Sequence, residues 1–155
     1  MDEAEKAAAL HVVPLFSEVG KRDLNRIARC AVERHYDPGD EIVGENERGV
    51  AMFVVVNGSV EATKEGADGP IHLTDLGPGA YFGELALFEN FPRSATIRAK
   101  TATDCLALTE WDFKAELRSE PAIALQMLKT TMRRLRDTTA RLAELEGSAA
   151  AGPTE

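Results

Sequence analysis

Residues 51–63, AMFVVVNGSVEAT, set the tightest limit on what this chain can fold into. Six apolar residues in a row, rich in Val and Phe, are too short a run for an ordinary helix and suit a strand. Asn57-Gly58 then supplies the dipeptide that tolerates the left-handed backbone of a tight hairpin turn. The return segment alternates, with Val60 and Ala62 on one face. The same texture runs from Glu33 to about Thr109. DPGD (37–40), GENERG (44–49), KEGADGP (64–70) and GPG (77–79) carry turn chemistry, and IHLTDL, SATIRAK and DCLALT read as further short strands. Strands at roughly ten-residue spacing predict an all-β barrel or jelly roll.

Helical signals flank this region. Residues 3–10 are alanine-rich and helix-prone. Leu15 and Phe16 form an apolar knob, and Ser17 or Asp23 can cap a short helix carrying Leu24, Ile27 and Ala28 at helical spacing. Beyond Glu110 the turn signals cease, apart from Pro121, which suits the first turn of a new helix. The pattern predicts a short helix over 111–118 and a long one over 121–146, stopped by Gly147. This gives one domain in four parts: an N-terminal helical segment (1–32), a β-barrel (33–110), C-terminal helices (111–146) and a disordered tail (147–155).

The long helix carries a stripe. Leu125, Leu128, Met132, Leu135, Thr139 and Leu142 are spaced 3, 4, 3, 4, 3, a heptad seam. A helix of roughly 40 Å at 1.5 Å per residue overhangs a small barrel. The stripe therefore predicts a parallel two-stranded coil and a homodimer rather than packing on the chain's own body.

Composition excludes several classes. A formal charge of −8 over 155 residues makes a poor general binder of nucleic acid. The acidic start MDEAEKAAAL is not a signal peptide, and no apolar run approaches the ~18 residues of a membrane span. Cys30 and Cys105 lack metal-ligand spacing, and a cytoplasmic protein with reduced thiols is expected. His11, His35 and His72 are scattered, with His35 read as a surface residue and His72 as a strand residue. No metal cluster, catalytic triad or Cys-His pair is visible, so no metal site and no enzyme is expected.

The chemistry concentrates in YFGELALFENFPRSAT, residues 81–96. Gly83 lets the backbone turn closely, and the residues after it can form one helical turn whose free N–H groups make an anion site. Arg93 adds a planar fork suited to phosphate or carboxylate. Ser94 adds a hydroxyl, and Ala95 leaves its own N–H accessible. Glu84 would repel an anion unless it accepts from a neighbouring hydroxyl on the same ligand. A phosphate with a neighbouring hydroxyl describes a nucleotide. The competing reading is an ion pair between Glu84 and Arg93. The residues alone leave both open.

This stretch resembles the cyclic-nucleotide-binding domain shared by catabolite activators, regulatory subunits of cyclic-nucleotide-dependent kinases and cyclic-nucleotide-gated channels. The pattern reads Phe82, Gly83, Glu84, Leu85, Ala86, Leu87, a gap of five, then Arg93, Ser94, Ala95. Gly39, Gly49 and Gly58 stand at the family's upstream glycines. Asn46 and Asn90 stand where glycine is common, and Asn tolerates the left-handed conformation. The resemblance covers about residues 10 to 146. It implies a double-stranded β-helix (jelly-roll) barrel with flanking helices. It also implies that Glu84 accepts from the ribose 2′-hydroxyl and that Arg93 clamps the phosphate. Ser94, with the backbone of Gly83 and Ala95, completes the cradle, while Ala62, Leu73 and Thr74 line the barrel around base and sugar. RRLRDTTARL (133–142) is similar to a helix of the bacterial activators, which places Arg134, Thr138 and Thr139 at the ligand, the last in the partner chain's pocket.

The resemblance implies a non-catalytic cyclic AMP sensor that signals through its long helix to a protein effector. A cyclic GMP sensor, favoured by the Ser94 hydroxyl, and a ligand-free interaction module are the alternatives. The 155 residues leave no room after the long helix for a helix-turn-helix, so direct DNA binding is not expected.

Overall fold

The structure, a computed structural model, describes residues 1–89 and 92–150, the last two by backbone alone. Helix α1 (Glu3–His11), a 3-10 turn (Pro14–Phe16) and α2 (Lys21–Cys30) precede the strands. These are β1 (Val32–Tyr36), β2 (Glu41–Val43), β3 (Ala51–Asn57), β4 (Val60–Gly66), β5 (Gly69–Leu76), β6 (Tyr81–Phe82), β7 (Thr96–Ala99) and β8 (Thr103–Thr109). A second 3-10 turn (Glu84–Leu87) follows β6, and α3 (Glu110–Ser119) and α4 (Pro121–Ala150) close the chain.

The strands pair antiparallel in two four-stranded sheets, β1-β8-β3-β6 and β2-β7-β4-β5. This is the jelly-roll order, but hydrogen bonds among the described residues do not close it into a barrel. The reason lies at the edges. β6 has two residues and β2 has three with an irregular register against β7, too little ladder to bridge the sheets.

β3 explains why its sequence is unbroken rather than alternating. Ala51, Phe53 and Val55 face the other sheet with Val43, Val60, Ile97 and Cys105. Met52 and Val54 face outward, yet they are buried under Leu10, Phe16, Ile27 and Phe113 of the helices. A sheet covered on both faces requires apolar side chains in both directions. Phe113, fully buried, anchors the helical layer. It meets the ring of Phe16 at 5.9 Å and that of Phe88 at 5.4 Å, both edge-on.

Several boundaries differ from expectation. Gly20 caps α2, while Ser17 Oγ donates to the Pro14 carbonyl at 2.8 Å and Asp23 lies inside the first turn. Thr109 caps α3, and Pro121 begins α4 as expected. Gly147 does not stop α4, which runs on to Ala150. A glycine stop is commonly accompanied by a hydrophobic contact that turns the chain, and residues 131–148 are all exposed. Without that contact, one helical glycine costs only about 1 kcal/mol. The expected tail beyond Ala150, like Asn90, lies outside the described residues. Among those described, no helix is long and apolar enough to cross a membrane.

Candidate functional site

The site begins where β6 ends. Gly83 adopts φ +80, a left-handed value, and turns the chain into the 3-10 turn Glu84–Leu87. Ala86 N–H closes this turn on the Gly83 carbonyl at 3.0 Å. Facing it is the loop before β3. Asn46, at φ 67, is the one non-glycine residue in the left-handed region among the described residues. Its N–H donates to the Arg93 carbonyl at 2.8 Å, and Arg93 N–H donates to the Glu47 carbonyl at 2.8 Å. The turn at Glu45-Asn46-Glu47 thus pins the backbone of Arg93.

The Arg93 side chain lies in a slot between glycines. A Cβ on Gly49 would stand 2.5 Å from its Cζ, and a Cβ on Gly83 would overlap the guanidinium and stand 2.9 Å from the Ala51 carbonyl. One guanidinium nitrogen donates to that carbonyl at 2.6 Å. Burial lowers the Arg93 pKa below the ordinary arginine range, and Glu47 and Glu84 oppose that shift. Among the described residues, no ion pair joins Arg93 to Glu84 or to any other carboxylate. The two therefore answer the question left open by the sequence as neighbours of one cavity rather than as a closed pair.

That cavity has a volume of about 300 Å³, at the small end of the roughly 300–1,000 Å³ usual for ligand sites. Phe82, Gly83, Glu84, Leu85, Ala86, Arg93, Ser94 and Ala95 all line it. Val43, Tyr81, Pro92 and Ile97 complete the wall. Val43, Pro92 and Ile97 carry no polar group, although strand alternation points Val43 and Ile97 between the sheets. Nothing in the sequence signalled that Gly49 and the Ala51 carbonyl hold the arginine.

A second groove, about 780 Å³, adjoins it through Tyr81, Glu84 and Leu85. Its far wall is α4, with Met127, Thr130, Arg134 and Thr138. So Arg134 and Thr138 line the adjoining groove rather than the smaller cavity, while Thr139, one residue around the helix, lines neither. Ala62, Leu73 and Thr74 also lie outside both linings. Ala62 is buried between the sheets, and its cross-strand partner Thr74 is exposed. The register of β4 against β5 slips between Ala62 and Thr63, which leaves Leu73 without a partner and 51% exposed. An edge strand with that bulge tilts these residues toward solvent.

The fold and this cavity have counterparts in known proteins. The family model described as the cyclic nucleotide-binding domain matches residues 33–120. The chain belongs to that family. This cyclic nucleotide-binding domain is 40% identical over 122 residues to a cyclic nucleotide-gated potassium channel of Mesorhizobium japonicum, covering 79% of the chain and 33% of the channel. It is 38% identical over 92 residues to a cAMP-dependent protein kinase regulatory subunit of Yarrowia lipolytica, covering 59% of the chain and 24% of that subunit. The chain thus spans a third or less of the length of these relatives. The crystal structure of the N-terminal domain of a transcriptional regulator from Streptomyces coelicolor superposes with a TM-score of 0.79 at 31% identity, covering 86% of this chain and 94% of that one.

Proposed function

We propose that the chain binds cyclic AMP reversibly and reports occupancy through α4 to a protein effector. One observation carries the reading: Glu84 and Arg93 line the same small cavity without pairing. Each is left to a different part of one ligand. Arg93 uses one donor on the Ala51 carbonyl and keeps the rest of its fork for the exocyclic phosphate oxygens. The open N–H groups of the turn after Gly83, with Ser94 and Ala95, complete the cradle. Glu84 accepts from the ribose 2′-hydroxyl.

The base extends toward the larger groove, where Thr138 stands. A threonine oxygen accepts from the N6 amino group of adenine, whereas guanine presents a carbonyl there. Cyclic GMP is the second reading, favoured by the exposed Ser94 hydroxyl. Ligand that bridges the turn to α4 biases one of two helix positions. The same proposal pairs two chains along α4. Leu128, Met132, Leu135 and Leu142 are 54–57% exposed in the single chain, and Thr139 would face the partner's pocket. Both cysteines are unpaired, which suits a reducing, cytoplasmic setting.

Titration calorimetry with both nucleotides, followed by light scattering, tests this. The expected result is saturable binding with cyclic AMP preferred, by a dimer. Tighter cyclic GMP binding selects the second reading, and no heat with either nucleotide overturns both.

A further inference from the structure

α4 has two unequal parts. Ile123, Met127 and Thr130 are buried at 0%, 3% and 4% exposure. They are spaced four and three residues apart, one face of a helix. From Thr131 to Gly147 every residue is exposed. Thr130 is therefore the last residue of α4 seated on the body, and it is polar. Its hydroxyl lies 2.6 Å from Glu18 Oε2 and 3.1 Å from the Gln126 carbonyl. The other Glu18 oxygen accepts from Arg133, one turn further along. These two donors hold the Glu18 carboxyl below the usual carboxylate range.

Glu18 is itself fixed in place. It sits between buried Phe16 and buried Val19, whose N–H donates to the Phe16 carbonyl at 3.1 Å. The loop after the first 3-10 turn thus presents a carboxylate to the point where α4 leaves the body. Thr130 and Arg134 are one helical turn apart, and Thr138 lies one turn further. All three line the groove beside Glu84. A rotation of α4 about its axis at Thr130 would carry Arg134 and Thr138 off that groove together.

We propose that Glu18 is the positioning residue of the site: its two-point grip on Thr130 and Arg133 sets the rotation of α4, and so places Arg134 and Thr138 over the nucleotide cavity. Apolar burial alone does not fix that rotation. Ile123 and Met127 sit N-terminal to the exit point, and nothing seated lies beyond it. A bidentate carboxylate on positions three residues apart adds the missing constraint.

Amide exchange of the nucleotide-free chain, compared among Glu18→Ala, Glu18→Gln and Thr130→Ser, tests the grip without any ligand. Glu18→Ala is expected to speed exchange at residues 128–136 by about fivefold, the scale of a lost exposed ionic contact. Residues 121–126 should be unaffected. Thr130→Ser keeps the hydroxyl and should behave as the unaltered chain, while Glu18→Gln, which loses only the charge, should fall between. Unchanged exchange in Glu18→Ala, or an increase spread evenly over all of α4, would overturn the proposal.

The second arm rests on the functional reading above: Glu18→Ala should shift the ratio of cyclic AMP to cyclic GMP affinity in the same direction as Thr138→Ala. If Thr138→Ala leaves that ratio unchanged while exchange responds to Glu18, the grip stands and base reading by α4 falls. If Thr138→Ala shifts the ratio and Glu18→Ala does not, Glu18 does not position the site.

Discussion

The two walls of the site are held by opposite means. The wall made by residues 82–95 is fixed many times over. Gly83 and Asn46 hold left-handed turns, two backbone hydrogen bonds pin Arg93, and its side chain fills a slot that two glycines leave open. The wall made by α4 rests on three buried side chains and one carboxylate, with the rest of the helix in solvent. The difference is instructive. On the proposed reading, the rigid wall holds the parts common to every cyclic nucleotide, the phosphate and the ribose. On the same reading, the loosely seated wall meets the part that varies and moves when that part arrives.

Four substitutions sharpen or break this division. Phe113 underlies both walls, through Phe88 beside the turn and Phe16 beside the seat of α4. Phe113→Ala should lower stability by ~3–5 kcal/mol in chemical denaturation and loosen both walls. A loss confined to α4 would show that the turn stands independently of the helical layer. Arg93→Ala should cost ~2–5 kcal/mol of nucleotide binding, equally for cyclic AMP and cyclic GMP. An unequal loss in calorimetry would mean that the rigid wall also reads the base.

Gly83→Ala places a methyl group at a positive φ and against the Arg93 guanidinium. It should cost ~1–3 kcal/mol of stability and displace the arginine, weakening both nucleotides together. Wild-type affinity in a folded Gly83→Ala variant would show that Arg93 does not need its slot. Thr138→Ala would remove the one hydrogen bond proposed to the base, worth ~1 kcal/mol. Its expected effect is about a fivefold change in the ratio of the two affinities, read by competition binding.

The contrast between the walls also decides what could be read from the amino acids. The turn at Gly83, the left-handed Asn46 and the convergence of Glu84 with Arg93 depend on neighbours in sequence, and each was legible. So was β3, because its apolar run admits little else. Features set by distant contacts were not. The slip between Ala62 and Thr63, which leaves Leu73 unpaired and exposed, depends on how an edge strand pairs. Gly147 was read as a stop, but stopping depends on a packing partner that the overhanging helix lacks. Thr139 stands one residue of helical rotation away from the groove that Thr138 lines, as its assignment to a partner chain's pocket requires. Glu18 carries no signal in the sequence, because its meaning arises only where Thr130, more than a hundred residues later, meets it.

The central claim is that Arg93 and Glu84 act on one ligand from one cavity instead of on each other. Calorimetric titration of cyclic AMP into the unaltered chain and into Arg93→Ala tests it most directly. The account predicts saturable binding to the former and a loss of roughly 30-fold or more in the latter, from the ~2–5 kcal/mol above. Equal affinity for the two proteins would contradict it.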